Sequence, residues 1–160
     1  MTPDERTVLI RKYKEGYQQV VDALRGISEA ELDFQRAPGK WSAREIVHHL
    51  ADSETTSAIR IRKLLVEEQP LIQGYDQDEF ARKLHYSKRP MEPTLKAFEA
   101  ARATTAQLLD LMSEADWKRP GEHSESGPYS AETWLSIYAA HAHNHADQIR
   151  QNRSVYKERR

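Results

Sequence analysis

The residues of this chain best suited to chemistry are its histidines. There are seven, alongside no cysteine at all. Disulfides, thiolate metal sites and a cysteine nucleophile are therefore excluded. Five histidines fall in two short stretches, His48-His49 and His141-Ala142-His143-Asn144-His145. Imidazole is a ligand for divalent ions of intermediate softness, and residues four apart share one helix face. A single inward histidine reads most simply as a hydrogen-bonded core residue. Two at i and i+4 are harder to bury, because four ring nitrogens then need partners. A metal ion would use one nitrogen of each and hold both rings. Spacing alone leaves both readings open.

Four segments of helical period, separated by breakers, must position these rings. The first runs from about Asp4 to Arg25, stops at Gly26 and carries an apolar stripe through Leu9, Tyr13, Tyr17, Val20 and Leu24. Ser28 to Leu32 reads as one capped turn. The second opens at Ser42, with Glu45 completing a capping box, and closes before Pro70. The third starts near Glu92-Pro93, and the fourth runs from Ser130 to about Tyr156. No run alternates with period two over a strand's length, so little sheet is expected. Pro70 to Pro90 and Trp117 to Tyr129 are long connections, a length associated with function or poor order. The expected fold is all-α, a single-domain four-helix bundle spanning residues 1–160.

Helical geometry, at about 100° per residue, assigns the faces. On the fourth segment Trp134, Tyr138, His141, His145, Gln148, Ile149 and Asn152 fall within an arc of about 100°. His143 points the other way. On the second segment Ile46, Leu50, Ser53, Ser57, Ile61 and Leu64 define the inner stripe. His49 lies about 90° from its centre and His48 about 170° away. His49 can reach the interior near its edge, and His48 is expected to face solvent or a supporting partner. Three inward histidines with coordination positions left over match a catalytic zinc-type site better than a closed structural one.

The segment Trp41-Ser42-Ala43-Arg44-Glu45-Ile46-Val47-His48-His49-Leu50-Ala51-Asp52-Ser53, with Tyr138 to Ile149, resembles the DinB-like superfamily. It is most similar to the branch of metal-dependent hydrolases and bacillithiol-transferase-like proteins, and Pro70 to Asp76 is similar to that branch's segment after the second helix. The resemblance spans nearly the whole chain in the same helix order. It implies a four-helix bundle with a three-histidine metal site. Matched residue by residue, the ligands are His49, His141 and His145, in agreement with the angular argument. It further implies zinc or nickel as the ion and a possible homodimer. The chain departs from some relatives at Glu54, where they carry histidine, and at its start, where they carry an extra segment.

The function so implied is a metal-dependent enzyme. As a thiol S-transferase it would activate a low-molecular-weight thiol, which must come from a cosubstrate because the chain has no cysteine of its own. As a hydrolase it would activate water. The alternative is a non-catalytic metal-binding bundle that holds a ligand or partner. Candidate helpers are Asp52, Glu54, Gln148, Tyr75 and Asp76. For Asp52 and Glu54 a solvated face or an ion pair is the plainer reading, whereas Gln148 is placed to hydrogen-bond a ligating histidine. His85 and His123 read as surface residues, and Trp41 and Trp134 as core anchors.

Charge narrows the partners. The 24 basic and 25 acidic side chains nearly cancel, which gives no general attraction to nucleic acid or an anionic membrane. The basic run Arg150, Arg153, Lys157, Arg159 and Arg160 reads as cations near a helix C-terminus. No secretion signal or membrane span is visible, so a cytoplasmic protein is expected and the sequon Asn152-Arg153-Ser154 carries no weight. Serine-hydrolase elbow, Walker A and dinucleotide glycine motifs are all missing from the sequence.

Overall fold

The computed structural model describes residues 1–159; Arg160 of the basic run lies outside them. Each of the four expected segments is a helix: α1 (Pro3–Leu24), α3 (Ala43–Val66), α5 (Met91–Leu109) and α7 (Ala131–Glu158). Three of them begin at capping boxes, Thr2 with Glu5, Ser42 with Glu45 and Ser130 with Thr133. Each box satisfies backbone N–H groups that a helix start leaves without partners. Single turns α2 (Glu29–Leu32) and α6 (Glu114–Trp117) sit in the connections, with α4 (Gln77–Lys83) and a 3₁₀ turn (Tyr86–Lys88) between α3 and α5. No helix among the described residues is long and apolar enough to cross a membrane.

The helices form a four-helix bundle whose neighbours are not those of a simple up-and-down chain. α1 packs on α7 and α5, and α3 packs on α5 and α7. Helices consecutive in the chain, α1 then α3 and α5 then α7, therefore lie diagonally opposed. Two apolar clusters fill the interior. One includes Val20, Ile46, Leu50, Phe98, Ala142 and Ile149; the other includes Ile61, Leu64, Ile72, Leu109, Trp134 and Leu135.

Across the centre runs a buried polar network that joins all four long helices. Arg102 of α5 donates from Nη1 to Glu54 Oε2 of α3 at 2.5 Å, from Nε to the Tyr13 carbonyl of α1 at 2.7 Å and from Nη2 to the Tyr138 carbonyl of α7 at 3.0 Å. The Tyr13 hydroxyl donates to the other oxygen of Glu54. The guanidinium also lies 4.0 Å from the Tyr13 ring centroid. Glu54, for which a solvated face had been one expectation, is wholly buried and ion-paired. Gly16 makes room for this network: a Cβ there would fall 2.6 Å from Arg102 Nη2 and 2.8 Å from Ala142 Cβ.

Both long connections are folded, which the sequence pattern does not show. β1 (Leu71–Ile72) pairs in parallel with β2 (Pro120–His123), and β2 pairs antiparallel with β3 (Gly127–Ser130), in the order β1-β2-β3. Strands of two to four residues, one of them reading Pro-Gly-Glu-His, are too short to show a period. Their pairing is a long-range event, with Leu71 opposite Glu122 and Ile72 opposite His123. This small sheet fastens the segment after α3 to the segment entering α7.

His48 departs from its expected place. Its ring is fully buried, donating from Nε2 to the Arg89 carbonyl at 3.0 Å and accepting at Nδ1 from Thr94 Oγ1 at 3.0 Å. It also stacks on Tyr86, whose hydroxyl donates to Asp52 at 2.5 Å. The helical angle correctly turned His48 away from the bundle centre, but the 86–94 segment covers that side of α3. His143 on α7 donates to the Lys12 carbonyl of α1 at 2.8 Å.

Replacing Glu54 by Ala leaves the Arg102 cation buried without its counter-charge, a change that costs about 3–5 kcal/mol. The expected outcome is a fall in melting temperature of about 6–20 °C for a chain of this size, measured by circular dichroism. Replacing His48 by Ala should lower stability while leaving metal affinity within about twofold, since its partners are all in the 86–94 segment.

Candidate metal centre

α3 supplies His49, and α7 supplies His141 and His145 one turn apart. On a neighbouring face of α7, Ala139, Ala142 and Ala146 are fully buried, and Ala142 lies against Gly16 of α1, so small side chains let α7 lie close to α1. The Nε2 atom of His141 then stands 3.2 Å from Nε2 of His49 and 3.2 Å from Nε2 of His145. One nitrogen from each ring lies within 4.8 Å of the others, the only such group of three histidine or acidic ligands among the described residues.

This convergence tests whether a metal fits. A neutral imidazole nitrogen has a single in-plane site, either a lone pair or a hydrogen, so His141 Nε2 can serve only one of its two neighbours at a time. Nitrogens bound ~2.0–2.1 Å from one ion stand about 3 Å apart, close to the spacing of His141 Nε2 from each of its two neighbours. His145 Nδ1 donates to Gln148 Oε1 at 3.0 Å, which places the hydrogen on Nδ1 and frees the Nε2 lone pair. His141 Nδ1 is buried without a hydrogen-bond partner, so packing and whatever Nε2 binds must hold that ring. The residues fit a divalent ion.

Electrostatics keep the rings ready for one. Burial, and secondarily the nearby His145, pushes His49 from the ordinary 6.5 down to about 3. His141 is held well below the usual range by burial and by its two neighbours. His145 is lowered by burial, with the Gln148 hydrogen bond opposing. All three are neutral at pH 7, the state in which imidazole is a ligand.

Two openings reach the cluster. The wider, of about 420 Å³, is lined by Arg36, Lys40, Trp41, Asp78 and Gln148 beside His141 and His145. The narrower, of about 170 Å³, is lined by His49, Ser53 and Arg60 of α3, by Tyr138 and His141 of α7, and by Tyr75. Gln77, at the start of α4, borders both.

The remaining candidates sort by contact. Gln148 holds His145, as expected from the helical angle. Tyr75 lines the narrow cavity and packs on Phe80, with ring centroids 4.6 Å apart. Asp76 instead caps α4, accepting from the backbone N–H of Asp78 and Glu79. Asp52 is engaged by Tyr86, and Glu54 by Arg102 and Tyr13. Trp134 is a core anchor whose Nε1 donates to the Ser57 carbonyl, but Trp41 is only half-buried. Its ring centroid lies 4.8 Å from that of His49, and it walls the wider opening. His123 is half-buried beside Tyr129 and borders the narrow cavity, whereas His85 is exposed.

Sequence reasoning missed three positioning residues. Asn152 donates from Nδ2 to the Trp41 carbonyl at 2.9 Å and accepts from Arg36 at 3.3 Å, so α7 itself secures the wall above His49. Its place on the inward arc with His141 and His145 was the available signal. Arg60 follows His49 by eleven residues, three turns along the same face, another signal within reach. Gln77 had none, because its position is set by how the 70–90 segment folds back.

Comparison with known proteins agrees with this geometry. A protein of Oceanobacillus iheyensis named "putative metal-dependent hydrolase" is 35% identical over 123 residues, 77% of this chain and 71% of that one. One of the same name from Geobacillus thermodenitrificans is 29% identical, covering 88% and 82% of the two chains. The solved structure of YfiT from Bacillus subtilis superposes with a TM-score of 0.89 at 25% identity, covering 95% of this chain and 87% of that one. Its description reads "a probable metal-dependent hydrolase with an unusual four-helix bundle topology". The family profile of the DinB superfamily matches residues 12–149, and the chain belongs to that superfamily.

Proposed function

We propose that His49, His141 and His145 bind one divalent ion, zinc or nickel, and that the protein is a metal-dependent enzyme acting on a small molecule. The observation that carries this reading is the approach of three Nε2 atoms to one another beside two openings. When bound, the ion supplies Lewis acidity that favours deprotonation of a nucleophile at neutral pH.

The chain's own residues do the rest. Gln148 fixes the His145 tautomer, and Trp41, pinned by Asn152, shields His49 from bulk water. The relatives' names favour water as the nucleophile, and thus hydrolysis. A low-molecular-weight thiol is the second reading, supported by the two separate openings, which give a nucleophile and an electrophile their own approaches. In both cases the protein works as a single bundle domain in the cytoplasm, and association as a homodimer belongs to the same proposal.

The deciding experiment is metal analysis of untagged protein together with thermal melting, with and without chelator. One ion per chain is expected, lost in His141→Ala. The four helices have apolar stripes and the Arg102 network of their own, so the chelated wild type should still melt cooperatively. Metal at 100 times its Kd should add about 2.7 kcal/mol to wild type and nothing to the variant. Absence of bound metal and of metal affinity would overturn the proposal, while metal binding without turnover of ester, amide or thiol-acceptor substrates would favour a non-catalytic binding protein.

A pH dependence follows for the metal-free form. His49 binds a proton near pH 6.5 when unfolded but only near pH 3 when folded. Between those values the unfolded chain holds more protons, so acidification removes stability. Falling from pH 7 to pH 5, this one ring should account for about 2 kcal/mol. Urea unfolding of chelated wild type and His49→Ala across that range measures it: the wild type should lose more stability than the variant.

A further inference from the structure

The narrow cavity beside the histidine cluster has a wall that the metal reading does not use. Arg60 leans back along α3 toward the N-terminal end, as helical side chains do, and borders the same space as His49 and His141. Its guanidinium is held in place from two sides. Nη1 donates to the Tyr138 hydroxyl at 3.0 Å, and Nη2 donates to the Gln73 carbonyl at 2.7 Å. Five N–H donors are available to arginine, and these contacts occupy two. Nε is buried on the far side from these contacts, and the Tyr129 hydroxyl lies against the guanidinium.

A second donor stands beside the arginine. Tyr138 accepts from Arg60, so its own hydroxyl hydrogen is free to donate. Tyr75 presents its ring 5.9 Å from the guanidinium carbon. Glu125 is the acidic group at this cavity, and it is exposed. Solvent screens its charge, while the half-buried arginine acts through a less screened medium. At about 170 Å³ the space equals roughly six water molecules of liquid volume, enough for a small planar group and its linker.

We propose that this cavity is a carboxylate subsite: Arg60, with the Tyr138 hydroxyl, binds a carboxylate of the substrate whose reacting atom lies at the histidine cluster. The idea rests on the metal reading above and adds the substrate class, a small molecule with a carboxylate a few bonds from its metal-directed atom. A planar guanidinium matches a planar carboxylate in geometry and charge, and an acceptor-only group meets the donors of Arg60 and Tyr138.

The test uses the full chain loaded with Co²⁺, whose thiolate charge-transfer absorption reports binding at the metal without any turnover. The probes are ω-mercaptocarboxylates with two to five methylenes and their neutral amides. Wild type should bind one chain length of acid at least tenfold more tightly than its amide. Arg60→Gln should erase that preference while leaving the amide's Kd unchanged, and Arg60→Lys should keep part of it. If Arg60→Gln does not fold, the wild-type preference and its reduction in Arg60→Lys decide the matter. Equal binding of acids and amides by wild type would overturn the subsite, as would a preference that survives in Arg60→Gln or an equal weakening of both probe classes. A protein that takes up no Co²⁺ would overturn the metal reading itself, and the subsite with it.

Discussion

The bundle turns on one buried ion pair. Arg102 and Glu54 are withdrawn from water almost completely, a placement that is costly unless every charge and lone pair nearby is answered. They are answered from all four long helices at once. Tyr13 of α1 donates to Glu54 of α3 across one diagonal, and Arg102 of α5 reaches the Tyr138 carbonyl of α7 across the other. Apolar contacts alone allow a bundle to slide or rotate, whereas a hydrogen-bonded pair at its centre is satisfied in one arrangement only. Gly16, with no side chain in the middle of α1, is a consequence of that arrangement, since any Cβ would collide with the guanidinium.

The site inherits its geometry from this centre. Tyr138, whose carbonyl Arg102 holds, is one turn before His141, and Glu54 is five residues beyond His49. Fixing α3 and α7 there fixes the spacing of the rings they carry. Gln148 then orients the last ring. The helices that carry the three rings thus have their own reason to be where they are.

The five clustered histidines divide by what surrounds them. His48 and His143 meet backbone carbonyls and act as rivets, one securing the segment before α5 and the other joining α7 to α1. His49, His141 and His145 meet one another through their Nε2 atoms. The loops complete the enclosure. Asn152 pins Trp41 above His49, and the three-stranded sheet holds the segment leading to Tyr75 and Gln77 over the other side.

Much of this was legible without coordinates because helical order is local. Caps at Ser42 and Ser130, the stripe from Tyr13 to Leu24, and the angle between His141 and His143 all depend on residues within a few positions of each other. The family motifs around His49 and His141 belong to the same local record. Glu54 and Arg102 were another matter, because nothing near either residue shows that its counter-charge lies some fifty positions away. The same holds for His48, buried by a segment that folds over it, and for the sheet, whose strands are too short to have a period. Sequence alone determined the helices and the faces they present, since those follow from backbone geometry over a few turns. Only the tertiary structure decided which helices are neighbours, which charged groups are buried together and which walls enclose the histidines, because each of these joins residues whose proximity exists only after the chain has folded.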